Sequence, residues 1–200
     1  MRILKISVVF GLIISVLMSM ARFDALCSDL RENVFRIHIR AASDSQTDQN
    51  LKLKVRDAIL HEFGDEFERC KNKNEAVEFA SENISIFQTL AKETVLSNGF
   101  DYDVNVYVGE NYFENREYDT FTLPAGTYES INIIIDEGKG QNWWCVMFPA
   151  VCIGASSCLE DAVIDDSAKV AENSSDFKIR FKTVEIYEDL KKIFKNSKNK

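Results

Sequence analysis

Few residues of this chain have the types and spacing that catalysis or metal binding requires. The chain has two histidines, His38 and His61, and neither has a neighbour at the spacing of a metal-binding pair. The acidic stretch at residues 44–49 carries a glutamine where a calcium loop needs glycine at its sixth position, so helix capping explains it more simply. The sequence therefore predicts no metal and no cofactor.

The cysteines are open to more than one interpretation. Cys145 and Cys152 lie in the apolar stretch WWCVMFPAVC, where a disulfide would close a small loop and stabilise the fold by roughly 2–3 kcal/mol. Two buried thiols are the alternative, and Cys158 is a rival partner. Cys145 could instead be the nucleophile of an exported thiol hydrolase, with His38 or His61 as its base. We expect a binding protein and no enzyme, because the chain also lacks a serine-nucleophile motif.

Two adjacent tryptophans, Trp143 and Trp144, are the least ordinary feature of the sequence. If they lie on a strand, their side chains point to opposite faces, so one can enter the core while the other stays outside. Tryptophan is enriched among binding hot spots. Together with Asn142 and Phe148 the pair forms a candidate partner-binding surface, and packing of the whole strand into the core is the alternative.

The N-terminus has the features of an export signal. Arg2 and Lys5 precede residues 6–20, a run of 15 residues of which 11 are apolar, and this pattern is typical of a secretory signal. A membrane-spanning helix usually needs about 20 apolar residues, and no clean A-x-A cleavage pattern follows the run. We therefore expect residues 1–26 to be a signal peptide or an N-terminal membrane anchor.

The net charge argues against one class of partner. The full chain has 24 Lys and Arg against 32 Asp and Glu, a net charge of −8. Residues 1–26 contain three basic residues and one acid, so the remainder has 21 basic against 31 acidic residues and a net charge of −10. Binding to nucleic acid or to an anionic membrane surface depends on positive charge. We expect no nucleic-acid partner, and membrane contact only through the N-terminal segment if it is not cleaved.

The hydrophobic periodicity predicts the elements that must position these residues. A strand is predicted at 34–40 with its polar side chains on one face, followed by helices at 51–67 and 75–97. Alternating residues then predict strands at 102–108, 117–123, 127–136 and 143–148. Residues 137–141 would join the last two strands as a hairpin. The order predicts an α+β fold in a single domain, with an antiparallel sheet and two or three helices packed on one face.

These elements also set the expected domain boundaries. Residues 27–153 form the α+β domain, within a size typical of a single domain. Residues 154–176 are acidic, small and polar, which predicts a linker or loop. Residues 177–200 contain a helical apolar stripe that would pack on the domain, followed by a frayed basic tail.

Two blocks of the sequence resemble the stage II sporulation protein R family. The first is IHIRAASDSQTDQNLKLKVRDAIL at 37–60, and the second is LPAGTYESINIIIDEGKGQNWWCVMFPAVC at 123–152. The segment KIRFKTVEIYEDLKKIF near the C-terminus also resembles the last helix of that family. The chain departs from the family pattern at Ala42, where Asn is usual, at Asp136, where Gly is common, and at Ala150, where a second Pro is common.

The resemblance implies a function that composition alone does not reveal. Members of this family are made in the forespore of endospore-forming bacteria and are secreted into the space between the forespore and mother-cell membranes. There they activate a membrane-embedded aspartic protease, the stage II sporulation GA protein, which processes the precursor of the mother-cell sigma factor E. By this resemblance the chain is expected to be a signalling ligand and the protease its partner.

The first family block adds a second cluster of candidate partner-binding residues. It consists of Arg40, Asp44, Asp48 and Arg56. Arg56 and Asp57 have an alternative role in an internal ion pair with the loop at 43–49. A ligand that shifts a protease between two states must bind those states with unequal affinity, so we expect this cluster and the tryptophan strand to contact the partner.

Overall fold

The computed structural model of the chain describes residues 2–118 and 122–149. Its elements are α1 (Arg2–Asn33), β1 (Phe35–Arg40), α2 (Gln46–Arg69), α3 (Lys73–Glu82), α4 (Ile84–Ser97), β2 (Val104–Phe113), β3 (Arg116–Glu117), β4 (Thr122–Leu123), β5 (Gly126–Ile135) and β6 (Asn142–Phe148). The linker predicted at 154–176 and the helix predicted within 177–200 lie outside the described residues.

The described chain divides into two compact units. Residues 33–113 and 127–149 form the first unit, which holds the sheet strands β1, β2, β5 and β6 and the helices α2, α3 and α4. Residues 2–32, 114–118 and 122–126 form the second unit, which holds α1 and the β3–β4 pair. The helices and the sheet of the first unit confirm the predicted α+β fold class, and the domain bounds of 27–153 stay a prediction.

Helix α2 forms where the sequence predicts it. Its first turn is capped by Ser45, whose Oγ accepts a hydrogen bond from the backbone N–H of Asp48 at 3.1 Å. Apolar side chains then recur every four residues and are buried, which places one stripe of the helix against the core. That stripe consists of Leu51, Val55, Ile59, Phe63 and Phe67.

The single helix predicted at 75–97 is wrong, because two helices, α3 and α4, occupy this range. Asn83 lies between them with a φ of −106° and a ψ of 13°. Its side-chain Nδ2 donates to the carbonyl of Phe79 at 2.8 Å, and such local bonding by asparagine competes with helical hydrogen bonds. The predicted end of the second helix is confirmed, since Gly99 follows it with a φ of 84°.

Phenylalanine rings dominate the core between these helices and the sheet. The ring centroids of Phe63 and Phe87 are 3.9 Å apart, and those of Phe67 and Phe79 are 5.2 Å apart. Phe35 on β1 joins the cluster with its centroid 6.3 Å from that of Phe67. The helices therefore pack on the face of the sheet that carries Phe35.

The sheet of the first unit has four strands in the order β2-β5-β1-β6. β1 is antiparallel to β6, with Ile37 opposite Cys145, and parallel to β5, with His38 opposite Asn132. β2 and β5 run in opposite directions, because the N–H of Asp136 donates to the carbonyl of Asp103 while Ser130 Oγ reaches that of Gly109. The sheet is mostly antiparallel, as predicted, with one parallel pair.

The predicted hairpin between the last two strands is wrong, because β1 lies between β5 and β6. Residues 136–141 carry the chain across the end of β1. The N–H groups of Lys139 and Gly140 donate to the carbonyls of Ala42 and Ala41, at 3.2 and 2.9 Å. Backbone groups just beyond β1 therefore hold the loop, which a local turn pattern in the sequence does not reveal.

The sequence predicts a half-buried strand at 34–40, but both faces of β1 are buried. Arg36 is fully buried and His38 is 7% exposed. Polar side chains on β5 share this face of the sheet, since Ser130 and Asn132 are also fully buried. Asn132 contacts both of its polar neighbours, with Oδ1 3.1 Å from His38 Nδ1 and Nδ2 3.3 Å from Ser130 Oγ, which reduces the cost of taking these side chains out of water.

In the second unit, α1 is a continuous helix from residue 2 to residue 33. Among the described residues, none of the helices combines the length and the apolar content that crossing a membrane requires. The strand predicted at 117–123 is instead the two short strands β3 and β4, paired antiparallel with Arg116 opposite Leu123.

Candidate functional site

The two sequence blocks that carry the family resemblance meet at one place in the first unit. The loop at 136–141 lies on the segment at 41–44, where the N–H of Gln141 donates to Asp44 Oδ1 at 2.7 Å. The next residues of the chain are Asn142, Trp143 and Trp144 at the start of β6. We call residues 40–48 and 136–144 the motif junction.

Glycine positions explain the loop half of the motif junction. Gly138 has a φ of 59°, and Asp136 has a φ of 55°, which side chains rarely adopt. A Cβ on Gly140 would lie 2.2 Å from the carbonyl oxygen of Ser43. Glycine, which is common in the family at position 136, suits the left-handed conformations at 136 and 138 and the close backbone approach at 140.

Asp48 has a structural role inside the motif junction. Its Oδ2 accepts a hydrogen bond from Ser43 Oγ at 2.5 Å, and its Oδ1 accepts one from the hydroxyl of Tyr102 at 3.2 Å. The residue is buried. Asp48 therefore holds the loop before α2, and its predicted direct contact with a partner does not fit this position.

Lys52 links the first turns of α2 to the loop half of the motif junction. Its Nζ donates to the side-chain Oε1 of Gln49 at 2.6 Å and to the backbone carbonyl of Gln141 at 2.9 Å. Burial lowers the pKa of this amine, while the carboxylate of Asp44 acts in the opposite direction. The buried Lys52 thus holds the backbone immediately before β6.

The tryptophans lie on opposite faces of β6, as predicted, and both are half-buried. Trp143 is on the helix side, where the guanidinium carbon of Arg56 lies 5.3 Å from its ring centroid. Arg56 also pairs with Asp57, with Nη2 and Oδ1 2.6 Å apart. The structure therefore unites Arg56 with the tryptophan strand through a cation–π contact, and its pairing is with the adjacent Asp57 and not with the loop at 43–49.

Trp144 lies on the opposite side of the sheet. Its ring centroid is 5.7 Å from that of Phe113 and 6.1 Å from that of His38. These two rings and the strand hold the indole in one orientation. The pair thus divides into Trp143, beside a charged helix surface, and Trp144, beside a buried polar face.

Asn142 connects the exposed edge of the motif junction to that polar face. Its Oδ1 accepts a hydrogen bond from Arg40 Nε at 3.0 Å and lies 2.7 Å from His38 Nε2. The residue itself is exposed. Two predicted candidates, Arg40 and Asn142, are therefore in direct contact. His38, which is buried, holds the side-chain amide of Asn142 in place.

His38 is the centre of a hydrogen-bond network. Its Nδ1 lies 3.1 Å from Asn132 Oδ1, which also accepts from Asn111 Nδ2 at 2.8 Å. The other side of the Asn132 amide donates to the carbonyl of Ser130 at 3.0 Å, which fixes its orientation. Both ring nitrogens of His38 therefore face amide oxygens, and a neutral imidazole can donate to only one of them.

Opposing influences act on the charge of His38. Burial lowers its pKa below the ordinary value, and the positive charges of Arg40 and Arg36 act in the same direction. The contacts with Asn142 and Asn132 favour the protonated ring and oppose the shift. Arg36, fully buried below His38, has its guanidinium carbon 4.0 Å from the Phe113 ring centroid.

The remaining predicted residues lie in the core part of β6. Phe148 is buried opposite Phe35 on β1, so a direct contact with a partner does not fit its position. Cys145 is disulfide-bonded, whereas Cys27 and Cys70 are free thiols. The predicted partner of Cys145, Cys152, lies outside the described residues, so that pairing stays a prediction.

The geometry does not support a thiol hydrolase built on Cys145. A disulfide-bonded sulfur is not available as a nucleophile. Cys145 is opposite Ile37 on β1, on the helix side of the sheet, whereas His38 points to the other side. Among the described residues, no group of three or more His, Cys, Asp and Glu side chains is arranged to bind a metal ion.

Sequence reasoning missed the buried polar residues that support the motif junction. The candidate residues that the sequence indicates include neither Lys52 nor Asn132. A signal for Asn132 was present, because Ser130 and Asn132 are polar residues at alternate positions beside the apolar residues Ile131 and Ile133. Such a pair on a strand marks one polar face, which a neighbouring strand with Arg36 and His38 could complete.

Comparisons with known proteins agree with the resemblance seen in the two blocks. The model of the stage II sporulation protein R family matches residues 31–157, a range that includes the whole motif junction. The stage II sporulation protein R of Bacillus subtilis (strain 168) is 34% identical over 121 residues, which cover 60% of this chain and 54% of that relative. The chain thus matches about half the length of this relative. No solved structure matches the chain.

Proposed function

Because the chain belongs to the stage II sporulation protein R family, we propose that it is a secreted signalling protein of endospore formation. Made in the forespore, it activates the membrane-embedded aspartic protease of the mother-cell side, the stage II sporulation GA protein. That protease then processes the precursor of sigma factor E. The chain acts by binding and catalyses no reaction itself.

The observation that carries this proposal is the convergence of both family blocks on one surface of the first unit. The motif junction presents the side chains of Asn142 and Trp143 at the start of an edge strand among the described strands, and Arg56 of α2 lies beside Trp143. Aromatic and arginine side chains are the types that most often anchor protein interfaces. We infer that this surface contacts the protease.

The buried groups below this surface support the same role. Lys52 fixes the backbone of Gln141, and His38 fixes the side chain of Asn142. A ligand that is already in its binding conformation loses less entropy on association. A rigid surface can also discriminate between the inactive and active states of a protease, which activation requires.

Reconstitution tests the proposal most directly. The full chain is exported from a producing cell, recovered, and added to membranes that carry the protease and the sigma-factor precursor. We expect cleavage of the precursor to depend on the added protein. Absence of any increase in cleavage, with a folded protein and a protease that can be activated by other means, contradicts the proposal.

Two matched variants locate the contact. Trp143→Ala removes the half-buried indole beside Arg56, and we expect activation to fall roughly tenfold or more, as at an interface hot spot. Tyr107→Ala removes an exposed aromatic from β2, on the opposite edge of the sheet, and activation should stay unchanged. Equal losses in both variants would place the contact elsewhere.

A further inference from the structure

Helix α1 changes character along its length. Many apolar side chains towards its N-terminus are exposed, among them Ile3 at 82% and Phe10 at 61%. Those of its last turns are buried, since Phe23 is 6% exposed and Cys27 and Leu30 are fully buried. The helix is continuous, but its two halves are suited to different surroundings.

The first half has the surface of a segment that does not remain in water. Its exposed apolar residues surround the helix and follow the basic residues Arg2 and Lys5. Soluble proteins rarely expose an apolar surface of this extent. The pattern fits a leader that an export machinery binds and then removes.

The last turns of α1 are part of the folded protein. Burial raises the pKa of the Cys27 thiol to about 12, so it stays a neutral, packed side chain. Arg31 Nη1 donates to the carbonyl of Ala125 at 3.3 Å, and a Cβ on Gly126 would lie 2.4 Å from Arg31 Cδ. Arg31 also lies 3.7 Å from Asp24 Oδ1. A cut after residue 26 would remove the buried Phe23 and this carboxylate.

We propose that a signal peptidase cleaves the bond between Ala21 and Arg22. Ser19 and Ala21 are small, exposed residues at the third and first positions before this bond, so they match the spacing of the A-x-A pattern with serine in place of its first alanine. The leader is then residues 1–21, within the length of roughly 15–30 residues that is usual for secretory signals. Phe23, which is 6% exposed, is the second residue of the product.

The reaction is an ordinary hydrolysis by water. The C–N bond between Ala21 and Arg22 breaks, the Ala21 carbonyl gains the oxygen of water as a carboxylate, and Arg22 becomes the new α-amine. Helical structure across the bond hinders access, so cleavage precedes completion of α1. The leader leaves with the exposed apolar half, and the mature chain keeps the buried side chains that the structure describes in α1, namely Phe23, Cys27 and Leu30.

This inference depends on the export that is part of the proposed function, and the experiment separates the two. The full chain is expressed in an export-competent, endospore-forming host, and the exported protein is identified by the mass of its N-terminal peptide. We expect the mature chain to begin at Arg22. Ala21→Phe should block processing, whereas Ala25→Phe, at another exposed alanine of α1, should leave the product unchanged apart from its own mass.

Different outcomes overturn different claims. An exported chain that begins at Cys27 or that retains residues 1–21 refutes the cleavage site and leaves export intact. A chain confined to the cytoplasm with its leader present refutes both. As an independent measurement, a chain starting at Arg22 should melt at a higher temperature than one starting at Cys27, because only the first keeps Phe23; equal melting temperatures would contradict the proposed boundary.

Discussion

One strand, β1, separates two buried surfaces of opposite composition. Its helix side carries Phe35, Ile37 and Ile39, which pack with the rings of α2, α3 and α4. Its other side carries Arg36 and His38, which contact aromatic rings and asparagine side chains. Both sides exclude water, so burial alone does not distinguish them.

The difference between these surfaces lies in what each demands of its residues. An apolar core tolerates many arrangements of similar volume, so the helix side stabilises the fold without fixing any one atom. On the polar side, each group needs a particular partner, because an unpaired buried donor or acceptor is costly. Through its contact with Asn142, His38 extends this requirement to the motif junction, where it positions the Asn142 side chain.

The largest effect should come from the helix side. Phe67→Ala removes a fully buried ring that packs against Phe35 and Phe79. We expect the free energy of unfolding to fall by about 3–5 kcal/mol, the usual cost of truncating a buried phenylalanine. Denaturant-induced unfolding measures it. Ile86→Ala, at an exposed position of α4, should change stability by about 0.5 kcal/mol at most, and a similar loss in both variants would contradict the location of the core.

The polar side should show a smaller effect. Asn132→Ala leaves Asn111 Nδ2 and His38 Nδ1 without their shared acceptor. The expected loss is about 1–3 kcal/mol, the cost of unsatisfied buried polar groups. The exposed Asn105 of β2 provides the control, since Asn105→Ala should be close to neutral. A cost for Asn132→Ala equal to that of Phe67→Ala would mean that the polar face carries as much stability as the core.

The loop at 136–141, which connects β5 to β6, offers a test of backbone conformation. Asp136 has a φ of 55°, where a β-branched side chain is strained. Asp136→Val should therefore cost about 1–2 kcal/mol, while Asp136→Gly should stay within about 0.5 kcal/mol of the parent protein because glycine adopts this conformation freely. Thermal unfolding of both variants checks the prediction, and equal stability of the two would show that the loop rearranges.

The helix side of this comparison could be predicted from the sequence. Apolar residues repeat every four positions in α2, and they alternate in β1, so each element reveals its own buried face. The break at Asn83 was missed because hydrophobic periodicity continues through it. The position of β1 between β5 and β6 was also missed, because it depends on contacts of the loop with Ala41 and Ala42.

The polar side could be predicted only in part. Alternation placed Arg36 and His38 on one face, but no pattern within β1 showed that this face is buried. Burial arises from other strands, where Asn132 and Phe113 complete the surface. The candidate residues were identified from sequence blocks, and only the fold separates Asn142, which is exposed, from Asp48, which is buried.

The smallest expected effect concerns the charge of His38. Its pKa is lowered in the folded protein, chiefly by burial, and the charged groups that face it are Arg36 and Arg40 on its own strand. The residues that face it from β5, β6 and β2 are Asn132, Asn142, Trp144, Phe113 and, through Asn132, Asn111; none of them carries a charge. The unfolded chain therefore binds a proton at His38 more readily than the folded protein does.

The sign of the pH dependence follows from this difference. Stability from His38 is fully present above the unfolded pKa of about 6.5 and is lost as the pH falls towards the lower folded pKa. His38→Gln should therefore lose less stability than the parent protein between about pH 7 and pH 5.5, where most carboxylates stay ionised. If the unfolding midpoint of His38→Gln fell with pH as steeply as that of the parent protein, the buried histidine would not be the group that senses the proton.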